Sequence, residues 1–523
     1  MNAQTNRPNI VLLIADDQSY WSTGYNGHPA AKTPNLDQLA SDGVVFDRHY
    51  DTTPICMASR ASIATGLYEY RTGCNFEHGR MQPDTFAESF YVQLKNAGYF
   101  TGYAGKFGFG IEPEIAEEPV HSYHTQEMLP GNEFDWWKGQ PGQADYTTAK
   151  NEGLEHLAKE YPHLTGALGK ASGEFFDLAT DSGKPFCLTV GFKAPHDPPR
   201  PDPKFDSVYE NTIFPKAGNY GPKGAEHLSK HIQTGRQWVE FKRWEEEVYN
   251  EAYRKYFQLI NGLDYAVGMI RDALETRGQD KNTVIIFTSD NGYFCGSHRF
   301  GDKVLIYEEA SHVPLIVYDP RHPSSGKNIR IESLSANIDI APTMMDLAGL
   351  PISKDIDGTS LLPLLDDSEQ MLHTSLSLVN FWNMPPTQCL AVTNGRFKYI
   401  YYWYEGEGMK PTEELYDLKQ DPLEMQNLSH EPNHKATLER MQKQYDSAVA
   451  HIREHAVPDN RYEHYGTLLD RSILWQGKKY TYKAFFDAWV TTMGSWRGGK
   501  WFEDLDLSAY PEEVTLRYGK PAV

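Results

Sequence analysis

Two apolar stretches of this chain do not alternate with polar residues, and each stops at acid. Asn9-Ile10-Val11-Leu12-Leu13-Ile14-Ala15 runs into Asp16-Asp17, and Thr283-Val284-Ile285-Ile286-Phe287-Thr288 runs into Ser289-Asp290-Asn291-Gly292. A strand with one wet face alternates, whereas a continuous apolar run needs both faces covered. Such strands belong inside a mostly parallel sheet flanked by helices, and Phe186-Cys187-Leu188-Thr189-Val190 reads the same way. Helical spacing precedes the second run: Val248, Ala252, Tyr256, Leu259, Leu263, Val267, Ile270 and Leu274 repeat every three to four positions, and Gly278 offers a stop. A shorter helix is predicted from Ser59 to Ala64, ending at Gly66. The chain is therefore expected to be α/β.

Pro363 to Gln370 reads as a linker. Beyond it, Lys398-Tyr399-Ile400-Tyr401-Tyr402 and Glu414-Leu415-Tyr416-Asp417-Leu418 read as antiparallel strands, with a turn at Asp421-Pro422. Two domains are expected, a catalytic one over residues 1–365 and a smaller α+β one over 366–523 with an aromatic-rich tail.

The formal net charge of −21 over 523 residues repels nucleic acid and anionic membranes, so neither is an expected partner. An anionic substrate then needs a locally basic pocket. No apolar run reaches the roughly 18 residues of a membrane span. Met1 to Pro8 lacks the charged and apolar regions of a signal peptide. The chain is expected in the cytoplasm, or in the periplasm or outside the cell if a signal peptide has been removed. The cysteines at 56, 74, 187, 295 and 389 are too few and too scattered for a disulfide framework or a zinc knuckle.

In parallel sheets, ligands bind where the strands end. Asp16, Asp17, Asp290 and Asn291 would bring three carboxylates and an amide oxygen to that edge. An all-oxygen set suits a hard divalent cation, and Ca²⁺ tolerates mixed donors more easily than Mg²⁺. Either pair alone also serves simply to begin a loop.

Pro54-Ile55-Cys56-Met57-Ala58-Ser59-Arg60 puts a cysteine at the start of the predicted helix, where the dipole favours negative charge, with Arg60 one turn on. A lone Cys-x-x-x-Arg is equally consistent with a buried structural cysteine. Together with Thr65-Gly66, however, the segment resembles the maturation motif of the formylglycine-dependent (type I) sulfatases, in the alkaline phosphatase superfamily. The resemblance extends through Arg7-Pro8-Asn9, Thr33-Pro34-Asn35-Leu36-Asp37, Gly102-Tyr103-Ala104-Gly105-Lys106 and Ala194-Pro195-His196. It continues with Ser289 to Gly292, Tyr307-Glu308, Val313-Pro314-Leu315, Ile338 to Thr343, and Glu414 to Leu428.

That resemblance implies an alkaline-phosphatase-like α/β domain with a smaller C-terminal subdomain carrying an antiparallel sheet. It implies Ca²⁺ held by Asp16, Asp17, Asp290 and Asn291, and formylglycine made from Cys56 by a dedicated maturase. The hydrated aldehyde would attack sulfur. Arg60 would steady it, Lys106 and Lys303 would bind sulfate oxygens, and His196 would bind the ester or protonate the leaving oxygen. His298 could share the acid role. Two positions depart from the family pattern. Gly108 stands where the family usually has a histidine that contacts formylglycine, and Ala58 stands where proline is commoner.

The expected substrate is a sulfated carbohydrate. Trp136, Trp137, Trp382, Trp475, Trp489, Trp496 and Trp501 are candidates to stack on sugar rings, although tryptophans also fill cores. Arg200, Arg299, Arg396 and Lys398 are candidates to read further anionic groups. Two alternatives stay open: a phosphonate monoester or phosphodiester hydrolase built on the same motif, and a catalytically silent carbohydrate-binding relative.

Overall fold

The computed structural model describes residues 7–472 apart from 112–124, 383–384, 406–407 and 459–461. The tryptophans at 475, 489, 496 and 501 lie outside the described residues.

An eight-stranded sheet organises the chain. Its strands are β1 (Asn9–Asp16), β2 (Val44–Phe46), β3 (Phe100–Lys106), β4 (Trp136–Gln140), β5 (Phe186–Pro195), β6 (Thr283–Ser289), β7 (Leu315–Tyr318) and β8 (Ile329–Ile331). They lie in the order β4-β3-β5-β1-β6-β7-β2-β8, and only β7 runs against its neighbours. The reason β1 does not alternate is visible in its packing. Ile10, Leu12 and Ile14 face one core, with Met57 and Ala61 of α1 (Cys56–Thr65). Val11, Leu13 and Ala15 face the other, with Leu168 and Phe175 of α2 (Leu164–Ser182) and Leu263 and Val267 of α3 (Glu246–Thr276).

Central β1 pairs with β6 in register from Asn9↔Thr283 to Ala15↔Ser289, so the two acidic ends finish side by side. On its other edge β1 pairs with β5, and Asp16 stands opposite Pro195, one residue before His196. The carboxyl ends of β1, β3, β5 and β6 thus meet in one place, and the site lies there.

A separate four-stranded antiparallel sheet, β9 (Leu376–Asn380), β10 (Cys389–Thr393), β11 (Phe397–Tyr402) and β12 (Thr412–Asp417), follows. Tyr399 and Tyr401 pack under the helix Lys435–His455 through Tyr445, while Ile400 and Tyr402 turn towards Leu305 and Tyr307. The predicted linker differs from expectation at its start. Pro363 opens a short helix, Leu362–Asp366, and Leu364 and Leu365 join the core against β1. Proline fits the first helical turn because its missing N–H would be unbonded there anyway.

Candidate active site

Asp17 takes φ 72°, left-handed for a residue with a side chain. Aspartate tolerates this conformation better than most residues, and it lets two consecutive carboxylates face one point. Tyr256 Oη donates to the Asp17 carbonyl at 2.8 Å and holds the turn. Asn291 Nδ2 donates to Asp17 Oδ1 at 2.7 Å and to the Gly292 carbonyl at 2.8 Å. These bonds leave the amide oxygen of Asn291 pointing elsewhere.

Three buried oxygens of this group, Asp16 Oδ1, Asp17 Oδ2 and Asn291 Oδ1, have no hydrogen-bond partner. Buried oxygens are rarely left so, since each costs about 1–3 kcal/mol. Burial and the neighbouring carboxylates of Asp16 and Asp290 push Asp17 up to about 7, despite Lys303 beside it. Asp290 is also raised, chiefly by burial and Asp16. Asp16 goes the other way, because the cations Lys106, Lys303 and Arg60 outweigh its burial. Carboxylates that repel one another around unpaired oxygens fit a hard divalent cation, and Asp290 lies beside them, its Oδ1 3.4 Å from the Asp17 amide.

Four buried cations surround the cage. Lys106 Nζ, at the end of β3, donates to Asp16 Oδ2 at 2.6 Å. Lys303 is ion-paired with Asp17 and lies 3.8 Å from Asp16 Oδ1. Burial disfavours charge on Lys303, but Asp17, Cys56, Asp16 and Asp290 hold its pKa well above the usual value. Arg60 Nε donates to Asp290 Oδ2 at 2.6 Å, Nη1 to the Lys106 carbonyl at 2.6 Å and Nη2 to the Phe192 carbonyl at 3.4 Å. The fourth is Lys193 on β5, which burial pushes down to about 8 although Asp16 pulls it up.

Cys56 begins α1, and Gly66 ends that helix in the left-handed conformation, at φ 74°. Every residue from Cys56 to Thr65 is buried. The nucleophile candidate therefore sits on a fixed element, with Gln143 Nε2 at 3.8 Å from its sulfur. His196 Nδ1 faces the Asp197 carbonyl and so carries the ring hydrogen, which leaves the Nε2 lone pair 3.9 Å from Asp17 Oδ2. Burial, with Lys303, Lys106 and Lys193 nearby, holds its pKa well below the usual histidine value, so the imidazole is neutral.

His298 is not brought to this cluster. Its Nδ1 donates to the Gly224 carbonyl at 2.8 Å and its Nε2 meets Asn219 Nδ2 at 2.9 Å, so neither nitrogen is left for a substrate. The loop that carries His298 and Lys303 turns through left-handed residues at Cys295, His298, Arg299, Asp302 and Val304. The other candidate cations are engaged in packing or ion pairs, or lie at the surface. Arg299 stacks on Trp238 at 3.8 Å, Arg396 pairs with Asp417, and Arg200 is an exposed residue past the β5 strand. Lys398 is buried between Glu308, at 2.7 Å, and Glu424, at 2.9 Å. Trp136 and Trp382 are buried packing residues, which removes them as open sugar platforms.

Gly108 has a physical reason. It takes φ +97°, and a Cβ there would come 2.3 Å from Arg60 Cδ. Arg60 is buried and fixed at three points, so it cannot yield. Sequence reasoning had no signal for Gln143, Lys193 and Tyr146, which belong to no quoted motif. Nor did it mark Arg236 and Arg243, whose ion pairs with Asp302 and Asp197 brace the neighbours of Lys303 and His196.

Strand-end carboxylates, a ring of buried cations and a cysteine at a helix start define an alkaline-phosphatase-like α/β hydrolase. The Sulfatase family profile matches residues 8–350, and a profile described as N-sulphoglucosamine sulphohydrolase, C-terminal, matches residues 296–451. The chain belongs to the sulfatase family and is a sulfuric ester hydrolase. It is 27% identical over 516 residues to an N-acetylglucosamine-6-O-sulfatase of Bacteroides thetaiotaomicron, covering 84% of this chain and 87% of that one. With a choline-sulfatase of Rhizobium meliloti it shares 28% identity, over 82% and 83% of the two chains. A solved structure of a protein in complex with its substrate, D-glucosamine-2-N,6-O-disulfate, superposes with TM-score 0.70 at 24% identity, over 87% of this chain and 100% of that one. The phosphonate monoester hydrolase of Agrobacterium radiobacter gives TM-score 0.69 at 21% identity, over 85% and 96% of the chains. At these identities the structural likeness shows the fold alone.

Proposed function

We propose that this sulfatase removes a sulfate ester from a carbohydrate, with position 56 as formylglycine and Ca²⁺ held by Asp16, Asp17, Asp290 and Asn291. The observation that carries the reading is the trio of unpartnered buried oxygens on Asp16, Asp17 and Asn291. A sugar substrate is supported by relatives named for N-acetylglucosamine-6-sulfate hydrolysis, in Bacteroides thetaiotaomicron and in Homo sapiens.

Formylglycine would supply, as its hydrate, a nucleophilic hydroxyl that cysteine lacks, and the ion would offset negative charge on the reacting oxygens. The chain's own residues do the rest. Lys106 and Lys303 are the cations that would meet the sulfate oxygens, in a pocket dry enough to make each contact count. Arg60 acts one step back, since its donors hold Asp290 and the ends of β3 and β5. His196, neutral with its Nε2 lone pair facing the cage, is suited to accept the proton of the attacking hydroxyl. It would protonate the leaving oxygen only after that uptake. A maturase acting on the Cys56 motif is the partner this chemistry requires.

Peptide mass spectrometry around Cys56, with and without a co-expressed maturase, should show conversion tracking sulfate release from sulfated saccharides. Assays of aryl sulfate, aryl phosphate and phosphonate esters side by side should favour the sulfate. Phosphoryl turnover well above sulfuryl turnover, or full activity from unconverted cysteine, would overturn the reading.

A further inference from the structure

The strand end that carries Lys106 cannot place a side chain against the nucleophile at position 108, because Arg60 fills that space. A side chain reaches position 56 from the next connection instead. Gln143 lies in the loop after β4, and its Nε2 points to Cys56 Sγ at 3.8 Å. The loop is fixed at three points. Lys193 Nζ donates to the Gln143 carbonyl at 3.0 Å and lies over the Tyr146 ring, 5.1 Å from its centroid. Tyr146 Oη donates to the His196 carbonyl at 2.7 Å. Between them Ala144 takes φ 53°, a left-handed conformation that a residue with a Cβ keeps only when its surroundings impose it.

We propose that Gln143 is a catalytic residue that donates its amide hydrogen to the nucleophilic group at position 56, and that Lys193 is the positioning residue that holds it there. The proposal rests on position 56 carrying the nucleophile. An amide keeps its hydrogens at every working pH, so it donates to the attacking oxygen without itself titrating. Such a donor orients the attacking lone pair and spreads the charge as the hydroxyl loses its proton. A fixed donor aimed at developing charge is worth about 10²–10³ in kcat. Lys193 is 6% exposed and belongs to β5, so the loop is tied to the sheet rather than to solvent.

The test uses Gln143→Met, which keeps the volume and removes the donor, with Lys193→Met, Lys193→Arg and the double variant. In converted protein, Gln143→Met should lower kcat on an aryl sulfate by about 100-fold with KM nearly unchanged. Lys193→Met should lower kcat on its own but add nothing in the Gln143→Met background, and Lys193→Arg should recover most of the loss. In unconverted protein, the S–H stretching band of Cys56, isolated by Raman difference against Cys56→Ser, should shift in Gln143→Met, because the sulfur loses a donor. An unchanged kcat, an unchanged S–H band, or strictly additive losses in the double variant would overturn the proposal. A shifted band in a protein that releases no sulfate after conversion would uphold the contact while sinking the proposed function, so the two fail separately.

Discussion

Arg60 and Asp290 form a buried ion pair, Nε to Oδ2 at 2.6 Å, with the two side chains 2% and 0% exposed. The pair joins the helix that carries the nucleophile candidate to the strand end that carries half of the oxygen cage. Arg60 also donates to the carbonyls of Lys106 and Phe192, so one guanidinium ties four elements together.

Arg60→Lys is therefore not conservative. An ammonium cannot reach three acceptors in a planar fan, and Asp290 would be left without its fixed donor. The expected loss is about 3–5 kcal/mol of stability, as for breaking other buried pairs. Denaturant midpoints for wild type and variant measure it; a midpoint within error of wild type would show that the pair does not hold the site together.

Gly108→His restores the family's usual residue and should nonetheless do harm. A Cβ would meet Arg60 Cδ at 2.3 Å in a backbone conformation at φ +97°. Overpacking of this kind costs about 1–3 kcal/mol, and the left-handed backbone adds to it. Thermal unfolding should report a lower midpoint for both Gly108→Ala and Gly108→His. A histidine variant with raised activity and an unchanged midpoint would mean that Arg60 moves freely.

Metal binding should depend on pH through Asp17, which is held up to about 7 in the ion-free site. An acid whose folded pKa is raised makes the ion-free protein more stable as pH falls from about 7 towards its unfolded value near 3.8. Calcium must displace that proton, so its affinity falls over the same range, by at most about tenfold per pH unit. Calorimetry at several pH values in buffers of different ionisation heat reads both the affinity and the proton released. An affinity that stays flat from neutral to mildly acid pH would rule out Asp17 as the titrating ligand.

What could be read from the sequence follows the distance over which each residue acts. Non-alternating β1 and β6 and the three-to-four spacing of α3 are local patterns, and they fixed the sheet and the long helix. The acidic pairs were legible because parallel register carries Asp16 and Asp290 to the same edge. His298 stood out by its place in the motif, yet both of its ring nitrogens are taken by Gly224 and Asn219, partners from a distant stretch of the chain. Gln143 and Lys193 had no pattern to announce them. A glutamine in a loop acquires meaning only when the sheet order sets β4 two strands from β5, with β3 between. Lys398 looked like a surface cation in a tyrosine-rich strand, yet its face of β11 turns inward against the loop around Glu308.

That lysine supports the last prediction. Lys398 is 0% exposed and lies between Glu308 and Glu424, donating also to the Ile306 carbonyl at 3.1 Å. Burial raises Glu308, but Lys398 and His312 bring it down to about 2; burial, Glu308 and Glu309 lift Glu424 to about 8 against the same lysine. One cation thus balances several buried carboxylates where the antiparallel sheet meets the catalytic loops. Lys398→Met removes it and should cost about 3–5 kcal/mol near pH 8. The loss should shrink towards pH 5. Without the lysine both carboxyls have folded pKa values above their unfolded ones, and a raised acid regains stability as it protonates. Urea unfolding at the two pH values separates the charge effect from lost packing, since missing packing would cost the same at both. A pH-independent loss would mean that shape, not charge balance, is what Lys398 contributes to that junction.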